Sequence, residues 1–345
     1  MVSFESDYNT GACPEILSRF METNLEPCAG YGSDHYTLSA IDKIREAIEC
    51  PDAQIYLATG GTQTNQLVIS TVLDDTEGVV AVKTGHVATH EAGAIEHSGH
   101  KVLALPEHQG KMDVNELRDY LYAFFNDGNR DHCVFPGMVY ITQPTEYGSL
   151  YSKAELEAIH NVCLEYELPL YIDGARLGYG LASDECDMTF ADVARLCEVF
   201  YIGGTKVGAL CGEAIVFTKN NQPKRFLTLA KQRGALMAKG KVLGLQFDTL
   251  FTNDLYINNG RHAIGMKNKM LDVLKKHNLE FFYESPTNQQ FIILENTKLE
   301  ELSKSVAVTI WEPYDDNHTV VRLVTSWSTT DEDISKLDEA LGKLA

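Results

Sequence analysis

The 345-residue sequence contains little positive charge. Its 29 lysines and arginines stand against 49 aspartates and glutamates, which gives a formal net charge of −20. Nucleic acids and anionic membranes bind proteins through basic surfaces, so this composition argues against both as partners. It suits a soluble enzyme that acts on a small molecule. Any anionic ligand must then be bound by locally placed lysine and arginine side chains.

The sequence also has no long hydrophobic runs and no paired cysteine motifs. No apolar run approaches the ~20 residues that a membrane-spanning helix needs. The first seven residues lack the basic start and apolar core of a signal peptide. The eight cysteines are scattered and form no Cys-x-x-Cys motif, which indicates neither a zinc site nor a disulfide framework. We therefore expect a cytoplasmic protein with free thiols and no metal.

Short apolar runs alternate with helical segments over most of the chain. Runs rich in β-branched and aromatic residues are typical of buried strands. We predict strands at 54–58, 78–82, 101–106, 138–142, 168–173, 199–202 and 213–217. Helical sequence lies between most of them, which predicts an α/β fold whose mostly parallel central sheet has helices on both faces.

The sequence changes character in its last third. Long helical patterns at about 223–252 and 255–277 lead to short predicted strands at 288–294, 306–311 and 320–325, and then to a terminal helix. This order predicts a smaller C-terminal α+β domain. We place the boundary near residue 250, with an N-terminal arm and the large domain over 1–250 and the small domain over 251–345.

Two of the predicted strands end close to an acidic side chain and a lysine, respectively. One ends at Asp173, with Arg176 three positions later, and another breaks into Gly203-Gly204-Thr205-Lys206. Parallel sheets bind ligands beyond the carboxyl ends of their strands, so Asp173 and Lys206 would share one rim. Enzymes that use pyridoxal 5'-phosphate (PLP) need a lysine for the Schiff base and an acid that holds the pyridine nitrogen protonated. Either residue alone would be a surface lysine or a helix N-cap, but together they indicate PLP.

Two further features could bind anionic groups, although each also has a purely structural explanation. Gly60-Gly61-Thr62 follows a strand and opens a helix, where backbone N–H groups suit a phosphate. Many strand-to-helix turns look similar and bind nothing. Arg322 lies inside an apolar strand, where it must face either solvent or an anion such as a substrate carboxylate.

His86, His90 and Lys231 are weaker candidates. The two histidines follow the strand that ends near Lys83, and their i, i+4 spacing fits solvated side chains or a metal pair. In a PLP enzyme an aromatic side chain commonly covers one face of the ring, and His86 is better placed for this than His90. Lys231 belongs to a basic cluster that is either a solvated helix face or a source of positive potential for a phosphate across a subunit interface.

In their order and spacing, these motifs resemble the low-specificity L-threonine aldolases. These are PLP enzymes of the aspartate-aminotransferase fold (fold type I), grouped with the β-eliminating lyases. The resemblance covers essentially the full length of the chain. It rests on Glu5-Ser6-Asp7-Tyr8, Tyr31-Gly32-Ser33-Asp34, Gly61-Thr62-Gln63-Thr64-Asn65, His86 with Glu91, Asp173-Gly174-Ala175-Arg176, Thr205-Lys206 and the segment from Val321 to Trp327.

The resemblance implies a role in cofactor binding for several of these residues. Lys206 would form the Schiff base with PLP, and Asp173 would pair with the pyridinium nitrogen. His86 would stack on the ring and help to handle the proton of the substrate β-hydroxyl. Gly61 and Thr62 would hold the phosphate, with Lys231 reaching in from a neighbouring subunit.

It also implies how an amino-acid substrate is bound. Arg176 would lie near the ring hydroxyl and the substrate carboxylate, and Ser6 and Arg322 would complete the carboxylate site. Tyr31 and Asp34 would shape the site at a dimer interface. The expected assembly is a homo-oligomer, a dimer or a tetramer, with shared active sites.

The chain departs from the family pattern at two places. Many members carry a second histidine in a Glu-Asn-Thr-His-Asn stretch, where this chain has Thr142-Gln143-Pro144-Thr145-Glu146. Thr145 thus stands in place of that histidine, and either Glu146 or His90 could substitute for it. The interface arginine expected after a Gly-Gly-Gly-Met run falls near Ala238, beside Lys239.

The resemblance implies retro-aldol cleavage of L-threonine and L-allo-threonine to glycine and acetaldehyde. Two alternatives stay open at this point. The first is another PLP reaction on the same scaffold, either β-elimination or cleavage of an aryl substrate such as phenylserine. The second is a non-catalytic α/β binding protein with a degenerate site, against which Lys206, Asp173 and Arg176 count.

Overall fold

The computed structural model describes residues 1–344. The helices are α1 (Pro14–Thr23), α2 (His35–Ala47), α3 (Gly61–Val72), α4 (His86–Thr89), α5 (Ala94–His97), α6 (Val114–Asn126), α7 (Lys153–Glu165), α8 (Leu177–Leu181), α9 (Phe190–Arg195), α10 (Phe226–Gln232), α11 (Lys241–Leu250), α12 (Leu255–Lys276), α13 (Asn296–Leu302) and α14 (Asp331–Gly342). The strands are β1 (Val2–Ser3), β2 (Gln54–Ala58), β3 (Glu77–Val82), β4 (Val102–Leu105), β5 (Phe135–Thr142), β6 (Leu170–Asp173), β7 (Val199–Gly203), β8 (Glu213–Phe217), β9 (Glu280–Tyr283), β10 (Gln289–Glu295), β11 (Val306–Ala307), β12 (Thr309–Pro313) and β13 (His318–Val324).

The central sheet of the described chain has the strand order β2-β8-β7-β6-β5-β3-β4. The pairs β7–β6, β6–β5, β5–β3 and β3–β4 are parallel, whereas β8 runs antiparallel to both of its neighbours. The prediction of a mostly parallel sheet covered by helices is therefore confirmed. Because β8 is reversed, its first residue lies at the same rim as the carboxyl ends of β2 and β7.

Apolar side chains from successive positions of each strand enter two separate cores. In β7, Phe200 and Ile202 pack on the face covered by α1, α2, α6, α7 and α11, while Val199 and Tyr201 pack on the face covered by α3, α5 and α10. This alternation follows from the two-residue period of a strand. Each fully buried side chain of this size contributes about 1.5–3 kcal/mol. The sheet is thereby held rigid beneath its rim.

The small lobe contains an antiparallel sheet of order β12-β13-β10-β9 and the two-stranded pair β1–β11. The N-terminal arm belongs to this region, because β1 pairs in parallel with β11 and the Val324 N–H donates to the Phe4 carbonyl at 2.8 Å. The arm residues that follow Phe4 consequently lie beside β13. The division of the chain at residue 250 stays a prediction.

The structure corrects two predicted elements. The helix predicted over 223–252 is wrong, because α10 ends at Gln232 and α11 begins at Lys241. Gly234 adopts a φ of 68°, and the Ala235 N–H donates to the Ala230 carbonyl, which is how a left-handed glycine closes a helix. The strand predicted over 306–311 is likewise divided, into β11 and β12. None of the helices within residues 1–344 combines the length and apolarity needed to cross a membrane.

Candidate active site

The rim of the central sheet carries most of the residues selected from the sequence. Asp173 is the last residue of β6, and Lys206 lies three positions beyond the end of β7. His86 opens α4 after β3, and Gly61 opens α3 after β2. Charge interactions join Asp173 to His86 and to Lys206, so these elements meet at one place.

The Asp173 carboxylate is held by three donors. Oδ2 accepts hydrogen bonds from Tyr140 Oη at 2.7 Å and Asn65 Nδ2 at 3.0 Å, and Oδ1 accepts one from the Ala175 N–H at 3.0 Å. Burial raises the pKa of Asp173, but the nearby His86 and the donated hydrogen bonds outweigh it, so that the pKa lies below its ordinary value. Asp173 is therefore a fixed buried anion at neutral pH.

A chain of hydrogen bonds connects Asp173 to His86. Asn65 Nδ2 also donates to Glu91 Oε1 at 2.9 Å, and the same oxygen lies 2.7 Å from His86 Nδ1. The Tyr171 hydroxyl donates to Asn65 Oδ1 at 2.7 Å and so fixes the amide orientation. Burial lowers the pKa of His86, whereas Glu91, Glu146 and Asp173 raise it, and the net direction is upward. Glu91 thus sets both the orientation and the charge of the imidazole.

We expect Glu91→Gln to lower the pKa of His86, because glutamine keeps the hydrogen-bonding shape and removes the negative charge. The measurement is an NMR titration of the imidazole in the cofactor-free protein. Glu116→Gln is the matched control, since its carboxylate contacts a different histidine, His108, at 3.1 Å. An unchanged His86 titration in Glu91→Gln would contradict this role.

Lys206 is a half-buried lysine among charges of both signs. Burial and the neighbouring Arg176 lower its pKa, while Asp7, Glu146 and Asp173 act in the opposite direction, and the net pKa is below the ordinary value. A lowered pKa increases the fraction of neutral amine, which is the nucleophilic form. The Tyr179 hydroxyl donates to the Lys206 carbonyl and holds the backbone of this loop.

Arg176 is paired within its own chain, which the sequence did not reveal. Its Nε and Nη2 donate to the two oxygens of Asp7 at 2.7 and 3.1 Å, and Asn288 Nδ2 donates to Asp7 Oδ2 at 3.0 Å. Asp7 and Arg176 are both buried, so each compensates the charge of the other. Arg176 consequently anchors the N-terminal arm at the rim, and only part of its guanidinium remains for another anion.

Arg322 differs from Arg176 because no carboxylate pairs with it within residues 1–344. Its Nη1 donates to Gln289 Oε1 at 3.1 Å, and its Nε has no partner in this part of the chain. The Ser6 hydroxyl is likewise buried and unpartnered among the described residues. Arg322 also contacts Thr309, whose hydroxyl donates to the Glu5 carbonyl, next to Ser6. A cation and a hydroxyl with unused hydrogen-bonding capacity suit a carboxylate ligand.

The glycine-rich turn lies beside a buried acid that the sequence analysis missed. Gly61 opens α3, and a Cβ atom at this position would approach the Tyr201 hydroxyl to 3.3 Å. Across the rim, Glu213 pairs in register with Ala58 on one side and Gly203 on the other. Its oxygens accept hydrogen bonds from Thr205 Oγ1 at 2.7 Å and the Gly204 N–H at 3.1 Å. The sequence feature that could have identified Glu213 is an acidic residue at the start of an otherwise apolar strand.

Tyr31 and Lys231 lie together on an exposed surface. The Lys231 ammonium is 4.6 Å from the centre of the Tyr31 ring. Leu227 and Leu236 line the same surface, and Tyr31 and Leu227 are each about half exposed. Within residues 1–344, no hydrogen bond or ion pair joins Tyr31 or Lys231 to the cluster around Lys206. Asp34 is instead a helix cap, whose carboxylate accepts from the N–H and hydroxyl of Thr37.

Comparisons with known proteins agree with the resemblance in the sequence. The model of the beta-eliminating lyase family matches residues 3–297. The low specificity L-threonine aldolase of Pseudomonas aeruginosa is 32% identical over 263 residues, which cover 75% of this chain and 74% of that protein. The solved structure of Leishmania major threonine aldolase is 40% identical, covers 100% of both chains and superposes with a TM-score of 0.96.

More distant structures share the fold alone. An aspartate aminotransferase from Thermus thermophilus is 17% identical, covers 100% of this chain and 92% of its own, and gives a TM-score of 0.69. The predicted fold type I architecture is therefore confirmed. Because the family model spans most of the sequence and the P. aeruginosa relative matches three quarters of it, the chain belongs to the beta-eliminating lyase family.

Proposed function

We propose that the protein is a carbon–carbon lyase that cleaves L-threonine and L-allo-threonine to glycine and acetaldehyde with PLP as its cofactor. Its named relatives are threonine aldolases. The observation that carries the proposal is that Arg322 Nε and the Ser6 hydroxyl are both buried without a partner among the described residues, which fits the carboxylate of an amino acid. An α-amino acid bound there would lie beside Lys206, because Arg322 and Lys206 both interact with Asp7 and Arg176.

The residues at the rim fit PLP, which this family and fold typically use. Asp173 and Glu91 are two buried carboxylates joined through Asn65, and Glu91 also contacts His86 Nδ1. The pKa of Asp173 lies below its ordinary value, so this carboxylate can pair with a cation such as a protonated pyridine nitrogen. Lys206 offers an amine with a lowered pKa, and the start of α3 at Gly61 offers N–H groups to a phosphate. When bound, PLP would stabilise the electron pair left on Cα.

The protein groups then have separate tasks. Arg322 and Ser6 hold the carboxylate, which restricts rotation of the substrate and so selects the bond at Cα that breaks. Asp173 would keep a positive charge on the ring nitrogen of PLP. His86, held through Nδ1 by Glu91, would cover one face of the ring. Arg176 and Asp7 seal the site from the N-terminal side, where both are buried.

Product analysis tests the proposed reaction. The purified protein with PLP is incubated with L-threonine, L-allo-threonine and phenylserine, and glycine, aldehyde and ammonia are quantified. We expect equal amounts of glycine and acetaldehyde from both threonine isomers and little ammonia. Release of ammonia and a 2-oxo acid without glycine would instead establish β-elimination. Lys206→Ala should give neither turnover nor a borohydride-trapped adduct of the cofactor.

Arg322→Gln should weaken substrate binding without destabilising the protein. A hydrogen bond to a charged group contributes about 1.5–3 kcal/mol, so KM for threonine should rise by about 10- to 100-fold. Stability should stay constant or increase, because the variant removes a buried cation that has no carboxylate partner among the described residues. Steady-state kinetics and urea unfolding measure the two effects. Arg261→Gln, at an exposed arginine on α12, is the control. An unchanged KM would refute the carboxylate assignment.

We propose further that a second copy of the chain completes the site, as a dimer or within a tetramer. Exposed apolar side chains support this, namely Leu17, Met21, Leu25, Tyr31, Leu38, Leu210 and Leu227. In such an assembly, Lys231 and Tyr31 would contribute to the partner's site rather than to their own. Sedimentation velocity measures the assembly directly. A cytoplasmic location is supported by the cysteines, since all eight are free thiols.

A further inference from the structure

Glu146 is a buried acid whose position the fold fixes firmly. It follows β5 in a loop that is closed by hydrogen bonds between the Gln143 side chain and the Tyr151 backbone, at 3.0 and 3.1 Å. The Thr145 N–H donates to the Ser149 carbonyl at 3.0 Å. Glu146 is only 9% exposed. The hydrogen bonds of the loop therefore hold the backbone around Glu146 in place.

The loop that carries Glu146 begins beside Asp173, because Thr142 pairs in register with Asp173 and the Gln143 N–H donates to the Asp173 carbonyl at 2.9 Å. In agreement with this position, the negative charge of Glu146 acts to raise the pKa values of four groups, His86, Arg176, Lys206 and Arg322, although burial leaves the net pKa values of Lys206 and Arg322 lowered. These are the ring-facing imidazole, the arm anchor, the amine nucleophile and the carboxylate-binding arginine. Glu146 therefore lies among the groups that would surround the reacting carbon atoms of a bound amino acid.

Glu146 also differs from the other buried acids in its hydrogen bonding. Asp7, Asp34, Glu91, Asp173, Glu213 and Asp248 each accept at least one hydrogen bond from the protein. No donor in residues 1–344 bonds to the Glu146 carboxylate, and its oxygens are not among the side-chain atoms sealed from solvent. A carboxylate that has no protein donor and stays accessible is free to accept a hydrogen bond from a ligand.

The competing groups at this position are less suitable. The Thr145 hydroxyl is 2.6 Å from Ser149 Oγ, so it is engaged away from the site, and a hydroxyl is a poor base at neutral pH. His90 is exposed and its ring packs between His86 and Trp311, at centroid distances of 5.7 and 6.4 Å. His86 is the residue assigned to the ring face. This leaves Glu146 as the unengaged base.

We propose that Glu146 is the catalytic base that removes the proton from the substrate β-hydroxyl. This inference rests on the proposed aldolase function and names the acid–base residue for it. The carboxylate takes the hydroxyl proton, the O–H electrons form the C=O bond of the aldehyde, and the Cα–Cβ bond breaks with its electrons left on Cα. Glu146 then returns the proton to Cα. Threonine is thus converted to glycine and acetaldehyde without net gain or loss of a proton.

The test compares Glu146→Gln, which keeps the shape of the side chain, with the wild-type enzyme. We expect kcat for threonine to fall by about 10²- to 10⁴-fold, the usual contribution of a general base. The dissociation constants of PLP and glycine, measured by absorbance, should stay within about threefold. Glu157→Gln, at a partly exposed glutamate of α7 that pairs with Arg195, is the matched control and should change neither quantity.

Chemical rescue separates catalysis from structure. Glu146→Ala should recover part of its lost activity when formate is added, because a free carboxylate can occupy the space of the missing one. A fall in PLP affinity as large as the fall in kcat, or no rescue by formate, would assign Glu146 a structural role and overturn the proposal. Nearly normal turnover in Glu146→Gln would overturn it as well. If the wild-type protein released no aldehyde from any β-hydroxy amino acid, the proposed function itself would fail, and this inference with it.

Discussion

Replacement of Asp173 by asparagine is expected to lower kcat/KM for threonine by about 10²- to 10³-fold, which is the usual loss when one buried electrostatic group at a reacting centre is removed. The amide oxygen of asparagine can accept the hydrogen bonds from Tyr140 and Asn65 that Asp173 Oδ2 accepts at 2.7 and 3.0 Å, so only the hydrogen bond from the Ala175 N–H to Oδ1 should be lost. Asparagine carries no charge, however, and cannot hold the ring nitrogen of PLP in its protonated form. Asp173→Asn should therefore lower the rate of turnover more than it lowers the stability of the protein.

The measurement combines steady-state kinetics with the absorbance spectrum of the bound cofactor. Asp248→Asn is the matched control, because Asp248 is equally buried but pairs with Arg19 and Lys43 in the helices α1 and α2. We expect that variant to lose stability and to keep the cofactor spectrum. Equal kcat/KM values for Asp173→Asn and the wild type would remove Asp173 from the reaction.

The rim was predictable because its signals are local in the sequence. Asp173, Lys206 and His86 each follow a short apolar run, and parallel strands necessarily bring their carboxyl ends to one edge. The predicted strands therefore placed these three residues together without any knowledge of the strand order. The glycine turn at Gly61 was predictable in the same way, since it immediately follows β2.

The long-range contacts were not predictable from local patterns. Asp7 meets Arg176 across 169 positions, because β1 pairs with β11 and carries the arm to the rim. The strand at Glu213 was predicted correctly, but its antiparallel direction follows only from its pairing with β2 and β7. That direction places the first residue of β8, rather than its last, beside Lys206.

The position of Glu213 makes it an ionisable group with an unusual environment. Burial raises its pKa to about 8 from an ordinary value of 4.5, although the hydrogen bond from Thr205 and the charge of Lys206 oppose this. Between these two pH values the folded protein binds a proton that the unfolded chain does not. Glu213 therefore favours folding at low pH, and this contribution is lost as the pH rises towards 8.

Glu213→Gln should consequently change how stability depends on pH. Glutamine stays neutral and can keep the hydrogen bonds to Thr205 and Gly204, so relative to wild type the variant should gain stability as the pH rises from 5 to 9. The gain should reach several kcal/mol, at about 1.4 kcal/mol for each pH unit of the pKa difference. Urea unfolding of the cofactor-free proteins at each pH measures it. Glu198→Gln is the control, because the pKa of Glu198 is lowered and lies below this pH range.

The negative charge of ionised Glu213 should also affect the binding of PLP. Glu213 lies in register between Ala58, which leads into the glycine turn, and Gly203, which leads into the Lys206 loop. Once ionised, it would repel a phosphate bound at that turn, so the affinity for PLP should fall above pH 8 in the wild type and change much less in Glu213→Gln. If the free energy of unfolding and the affinity for PLP changed with pH in the same way in the wild type and in Glu213→Gln, Glu213 would already be ionised at neutral pH. The carboxylate would then be stabilised by Thr205, the Gly204 N–H and Lys206 strongly enough to offset its burial.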